Sequence, residues 1–174
     1  LLLITSRPEK LLSTILSRCQ KIHFNYLNQA SIKKILAQAK TKEKDLEEKI
    51  NDINYKELFN LASGSPGALI EHLDIWERMP KDIIVALKEI KKDPLANLSL
   101  ARQITDLLDN EEQIWLINWY QQYLWNQSKN NKAIFRLEKL RTHLKFYVQP
   151  IIAWEIALIE ISEICFTQAL ALSS

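Results

Sequence analysis

The sequence predicts a mainly α-helical protein with a short α/β piece at its beginning, and three observations carry that reading. Apolar residues recur at three- and four-residue spacing along most of the 174 positions. From Pro80 onward, helix-breaking pairs fall at intervals of helix length, at Asp93-Pro94, Asp109-Asn110, Asn130-Asn131 and Gln149-Pro150. Only near the start do two short apolar runs, Leu1-Leu2-Leu3-Ile4 and Ile22-His23-Phe24, flank a helical stretch as strands would.

Taken in order, the first run ends in Thr5-Ser6, and Pro8 opens a helix because its missing N–H would go unpaired in a first turn anyway. Glu9 suits the positive end of that helix. Leu11, Leu12, Ile15 and Leu16 make one apolar face, and the helix closes on Ser17-Arg18-Cys19-Gln20 before the second strand. Ser31 is the expected N-cap of a helix from Ile32 to Ala39, with Lys33 and Lys34 toward solvent. Residues 40–49 are dense in both charges and read as a solvated face or loop. Tyr55 to Ala62 forms a helix that stops at Gly64, where the absence of a Cβ permits a left-handed C-cap. Ser65-Pro66 starts the next, Gly67 to about Glu77, and Gly67 is expected to let another backbone approach closely. Beyond Met79-Pro80, helices are expected near 81–92, 95–108, 111–128, 131–148 and 150–172. The chain thus divides into residues 1–26, a three-helix unit over 27–79 and an all-α unit over 80–174.

Composition excludes several functions. No Gly-x-x-x-x-Gly-Lys-Ser/Thr occurs, and the only glycines are Gly64 and Gly67, so the chain cannot cradle a nucleotide's phosphates in that way. A net charge of +2 does not announce a nucleic-acid binder. Cys19 and Cys165 are far apart with no paired spacing, which indicates neither a disulfide framework nor a zinc site and suits a reduced, cytoplasmic protein. The most membrane-like stretch, Ile151 to Leu172, carries Glu155, Glu160 and Glu163. Each would cost on the order of 2 kcal/mol or more at a bilayer centre, which favours a buried soluble helix and no membrane partner. That helix is apolar nearly all round and needs cover on most sides, part of it from another chain. An apolar strand at residue 1 with no polar lead-in would leave an exposed edge, so a fragment of a longer protein is expected.

Among candidate functional residues, Arg18 stands first. It sits at the exit of a short helix, and its guanidinium is a planar fork of donors suited to phosphate oxygens. The plainer role is to satisfy the last carbonyls of its own helix. Trp115, Trp119 and Tyr123 recur at four-residue spacing beside Tyr120, Leu124 and Trp125, but no Lys or Arg lies between Ile114 and Gln127, so core or subunit-contact packing is expected over base stacking. Lys129, Lys132, Arg136, Lys139, Arg141 and Lys145 meet only Glu138 among acids, which fits either a solvated face or a surface for phosphate or an acidic partner. His23, His72 and His143 have no metal-ligand spacing and are expected to be structural. Cys19 lacks a partner for nucleophilic or redox work and is expected to fill space under the arginine-bearing turn.

The stretch Leu1 to Gln20, LLLITSRPEKLLSTILSRCQ, closely resembles the sensor 1 strand and Ser-Arg-Cys motif of AAA+ sliding-clamp-loader subunits, and Leu61-Ala-Ser-Gly-Ser-Pro-Gly-Ala-Leu69 is similar to their second-domain signature. The resemblance implies that residues 1–26 end an AAA+ α/β core, 27–79 form the helical lid and 80–174 the helical collar. It implies that Ser17, Arg18 and Cys19 form the Ser-Arg-Cys motif, with Arg18 an arginine finger acting in trans on a neighbour's ATP, an effect worth roughly a thousandfold or more where such fingers operate. Ser6 matches the sensor 1 position. Gly67 stands where the ATP-hydrolysing subunits carry a sensor 2 arginine, which aligns the chain with the non-motor delta prime branch of DNA polymerase III. The implied cofactor is none in this chain, ATP-Mg being bound by neighbours. The implied partners are the gamma/tau ATPase and delta subunits through the collar, with the sliding clamp and primed DNA reached through the assembled complex. The alternatives are an active gamma/tau subunit and a generic helical interaction scaffold.

Overall fold

The computed structural model describes residues 2–5, 7–38, 55–146 and 149–173, and what it describes is helical. A 3-10 turn, Pro8–Lys10, precedes α1 (Ser13–Leu16), α2 (Gln29–Gln38), α3 (Tyr55–Ala62) and α4 (Pro66–Arg78). Then follow α5 (Lys81–Lys88), α6 (Pro94–Leu107), α7 (Asn110–Ser128), α8 (Asn131–Lys145) and α9 (Pro150–Ser173). The charged run at 40–49 and Ser6 lie outside the described residues.

Each helix from α4 onward starts where sequence chemistry puts a start. Ser65 accepts from the Ala68 N–H at 3.3 Å, with Pro66 in the first turn. Asp93 accepts from Leu95 and Ala96, Asn130 from Lys132 and Ala133, and Asp109 with Glu112 closes a reciprocal capping box. Three starts or stops differ from expectation, one of them the end of α8, which closes at Lys145 rather than near 148. For α2 the cap is Asn28, whose Oδ1 accepts from the Ser31 N–H at 2.8 Å, so the helix begins at Gln29 rather than after Ser31. Helix α5 ends at Lys88, short of the expected 92: Glu89 leaves helical geometry with φ of −108° and ψ of 32°, and beyond it the Lys91 carbonyl accepts from the Asn97 side-chain amide at 3.2 Å.

The strand–helix–strand reading of the first residues is corrected. Among the described residues there is no strand; Leu2–Thr5 and Gln20–Asn28 carry no regular structure. A strand needs a second edge to complete its ladder, and among the described residues no such edge lies beside either run. The expected single helix from Pro8 also breaks, since Leu11 and Leu12 are extended and leave the four-residue α1 behind them. Leu12 is exposed, so no packed apolar face stabilises a longer helix there.

Gly64 has the left-handed backbone expected of it, and the close approach expected at Gly67 falls at Gly64 as well. A Cβ on Gly67 would meet nothing within 4 Å. At Gly64, with φ of +76°, a Cβ would lie 2.7 Å from the Leu27 nitrogen and 2.8 Å from the Tyr26 Cβ. The connector into α2 therefore crosses the α3–α4 turn, and Leu27 N–H donates to the Gly64 carbonyl.

The core runs without interruption across Pro80. Helices α2 and α3 pack on α4, α3 lies against α7, α7 on α8, α8 on α9, and α9 on α6. Ile32, Leu58, Leu69 and Leu73 are buried in the same cluster as Ile83, Leu116, Trp119, Leu140, Trp154 and Ile161. Two buried polar links tie the later helices. Asn97 Nδ2 donates to Ser162 Oγ at 3.1 Å, and Gln113 accepts from Trp154 Nε1 while donating to the Leu108 carbonyl, each at 2.9 Å.

Candidate functional site

The Ser17-Arg18-Cys19 turn is held by backbone at the exit of α1. Ser17 N–H donates to Ser13 O at 2.9 Å, Arg18 N–H to Ile15 O at 3.1 Å, and Ser17 Oγ to Thr14 O at 3.2 Å. Arg18 is exposed. Cys19 is exposed as well, which corrects its expected place beneath the turn: among the described residues nothing closes over it. The apolar side chains of Leu2, Ile4, Ile22 and Phe24, in the runs before and after this turn in sequence, are also open to solvent.

The aromatic run is core, as its lack of interleaved cations suggested. Trp115, Trp119 and Tyr120 are buried, Tyr123 is half-buried, and only Trp125 turns outward. Trp76 of α4 meets Trp119 with ring centroids 5.5 Å apart, and Lys88 Nζ lies 5.8 Å from the Trp119 ring and 5.7 Å from that of Tyr123. Burial holds the Tyr120 hydroxyl protonated far above the usual phenol range.

His72 is structural, and its part was not legible in the sequence. Its Nδ1 accepts from Trp115 Nε1 at 3.1 Å, joining α4 to α7 across forty-three positions of chain. Burial lowers its pKa, against an opposing hydrogen bond with the Leu61 backbone and the charge of Glu71. The folded state therefore binds this proton less readily than the unfolded chain, whose histidine titrates at about 6.5. Stability from this group is full above that pH and falls as pH drops toward the lowered folded value. Urea midpoints measured between pH 7.5 and 5.5 are expected to decline, and His72→Gln is expected to flatten the decline; equal slopes for both proteins would refute the assignment.

The basic run on α8 is divided by the fold. Arg136 is buried and pairs with Glu160 of α9, so it does not belong to the surface. Arg141 pairs with Glu138 and donates to Asn118 of α7 at 3.1 Å. Lys129, Lys132, Lys139 and Lys145 remain exposed. Of the residues singled out in the sequence, the fold keeps Arg18 and these lysines accessible but brings no catalytic constellation together. Among the described residues no group of His, Cys, Asp or Glu could hold a metal ion, and no helix is long and apolar enough to cross a membrane.

Comparison with curated proteins and with solved structures returned no match. A family model described as the C-terminal domain of cyanobacterial DNA polymerase III delta prime matches residues 30–161, a span that takes in α2 through the first half of α9 and leaves the Arg18 turn outside it. Since that span exceeds half of the 174 residues, the chain belongs to the family of cyanobacterial DNA polymerase III delta prime C-terminal domains.

Proposed function

We propose that the chain is the C-terminal part of a non-motor subunit of the DNA polymerase III clamp loader, which places the sliding clamp on primed DNA during replication. The family match over residues 30–161 carries the reading. In this reading residues 1–26 end an AAA+ core, whose remaining elements would pair with the extended runs and cover Leu2, Ile4, Ile22 and Phe24. Residues 27–79 are the lid and 80–174 the collar. Gly67, exposed in the first turn of α4, offers no side chain to a phosphate, so ATP-Mg belongs to the neighbouring subunits in the cytoplasmic complex. Ser6 takes the sensor 1 position without a nucleotide of its own.

Arg18 is the finger. An exposed arginine on a backbone-held turn can reach a neighbouring subunit's transferring phosphoryl group, where its fork of donors stabilises developing charge. Assembly falls to α9. Ile152, Ile156 and Ile159 follow one another at four- and three-residue spacing with Phe166 further on, and Ile156 is 47% exposed. Such a seam suits a helix of the gamma/tau ATPase or delta subunit in a collar.

Reconstituting the full-length loader tests both parts. Wild-type and Arg18→Ala subunits are expected to co-purify equally with the ATPase subunit. The Arg18→Ala complex should hydrolyse ATP more slowly when stimulated by clamp and primed DNA, with a partial loss because one neighbouring site depends on this residue. Arg18→Lys should rescue poorly, since the ammonium lacks the planar fork. Failure of the wild type to co-purify would remove the loader reading, and equal ATPase rates for all three assembled complexes would remove the finger.

A further inference from the structure

Helices α8 and α9 both leave a face open, and the two faces differ in kind. On α9 the exposed positions mix apolar and acidic side chains, Ile152, Ile156 and Phe166 with Glu160 and Glu163. On α8 the positions at three- and four-residue spacing are the exposed Lys132, Phe135, Lys139 and Phe146 with the half-buried His143, which sets two cations among aromatic rings on one side of the helix. The side opposite carries the buried Ala133, Leu137, Leu140 and Leu144. Phe135 is 62% and Phe146 74% exposed, high values for two phenyl rings on one helix face. Phe146 keeps the helical register, since its N–H donates to the Thr142 and His143 carbonyls. Lys139 Nζ stands 5.0 Å from the Phe135 ring centroid, and Lys129 and Lys145 flank the stripe.

From this arrangement we infer that the outer face of α8 binds single-stranded nucleic acid, the phenyl rings stacking on bases and the lysines following the phosphates. A polyanion is favoured because four exposed lysines, Lys129, Lys132, Lys139 and Lys145, outnumber the one acid on this helix, Glu138, which is paired with Arg141 and accepts from Gln121 Nε2 on the α7 side. A helical protein partner is disfavoured because a helix–helix seam needs an apolar residue at each step, and the steps between the two phenylalanines are Lys139 and His143. Aromatics bracketed by cations are what sequence-tolerant single-strand surfaces use. The eleven-residue separation of the two rings is about 16 Å along a helix, which is about five nucleotides at the 3.4 Å spacing of a stacked strand. The surface is independent of the clamp-loader reading, since it rests on α8 alone.

The test is fluorescence anisotropy of a labelled 20-mer of thymidylate titrated with the chain at 50 and 200 mM salt. Phe135→Ala and Phe146→Ala, both at exposed positions and checked for unchanged circular dichroism, are each expected to weaken binding at least about fivefold. Lys132→Ala with Lys139→Ala is expected to reduce the slope of log affinity against log salt by about 1.4, at about 0.7 per cation for single strands. Poly-glutamate of equal length should compete poorly, because it offers charge without stacking faces. The inference is overturned if the wild type fails to bind at 50 mM salt, if the phenylalanine variants bind as the wild type does, or if poly-glutamate competes as well as unlabelled oligonucleotide.

Discussion

Replacing Trp119 with alanine is expected to destabilise the protein by about 3–5 kcal/mol, the range for deleting a buried large aromatic. Trp119 is fully buried where α4, α5 and α7 meet. Its ring neighbours Trp76 at 5.5 Å, Tyr123 at 5.7 Å and Tyr120 at 6.2 Å between centroids, with the Lys88 ammonium on it as well. Alanine would leave a cavity bounded by three rigid rings that cannot collapse into it, which places the cost toward the upper end. Trp119→Phe is expected to cost much less, because it retains most of the ring volume and removes an indole N–H that is buried with no hydrogen-bond partner among the described residues. Trp125→Ala serves as the contrast: it lies on the same helix but is 46% exposed, so a change within about 1 kcal/mol is expected. Urea denaturation followed by far-UV circular dichroism reads all three as midpoint shifts at constant m. A Trp119→Ala midpoint matching that of Trp125→Ala would show that the aromatic cluster does not hold the α4–α7 contact.

Helix starts beyond Pro80 were legible in the sequence where a short polar side chain precedes an apolar-periodic run, whereas at α2 the choice fell on Ser31 instead of Asn28. Asp93, Asp109 and Asn130 mark starts through the hydrogen bonds they can make locally, so nothing beyond a few residues need be known. The two apolar runs near the beginning misled for the opposite reason. Strand formation at Leu2–Ile4 and Ile22–Phe24 depends on a partner edge, and local propensity carries no information about whether one is present. The left-handed cap at Gly64 was legible in the sequence, but the close approach was expected at Gly67, and only the path of Tyr26 and Leu27 over the α3–α4 turn places it at Gly64. The same holds for the basic run on α8. Charge counting placed Arg136 with its neighbours, whereas the packing of α8 on α9 turns it inward to Glu160. Arg18 was singled out by resemblance and by its place at a helix exit, and both remain as they were because its environment in a larger assembly is what the chain alone does not supply.

Gln113 was invisible to sequence reasoning, and Gln113→Leu is expected to be the most costly change at a polar position, at about 2–4 kcal/mol. The glutamine is buried, and it serves two groups that no other described residue serves: the Trp154 indole N–H donates to its Oε1, and its Nε2 donates to the Leu108 carbonyl. Leucine fills similar volume, so the loss is electrostatic: two buried polar groups are orphaned, each at about 1–3 kcal/mol. Adding Trp154→Phe removes the stranded donor, and the double variant is expected to recover part of the loss, giving a coupling energy of about 1 kcal/mol or more for residues in one network. Gln113→Glu separates donor loss from charge. A glutamate keeps the acceptor for Trp154 but turns a carboxylate toward the Leu108 carbonyl in a buried site, and burial raises its pKa above the unfolded value of about 4.3. Between those two values the folded state binds more protons than the unfolded chain, so this variant is expected to gain stability relative to wild type as pH falls from 7 toward 4.5, opposite in sign to the His72 effect. Urea midpoints of the wild type, the two single Gln113 variants and the double variant at pH 7 and pH 5 decide the matter. Additive costs in the double variant, with no relative gain for Gln113→Glu at the lower pH, would show that the α7–α9 contact is held by apolar packing of Trp154 alone.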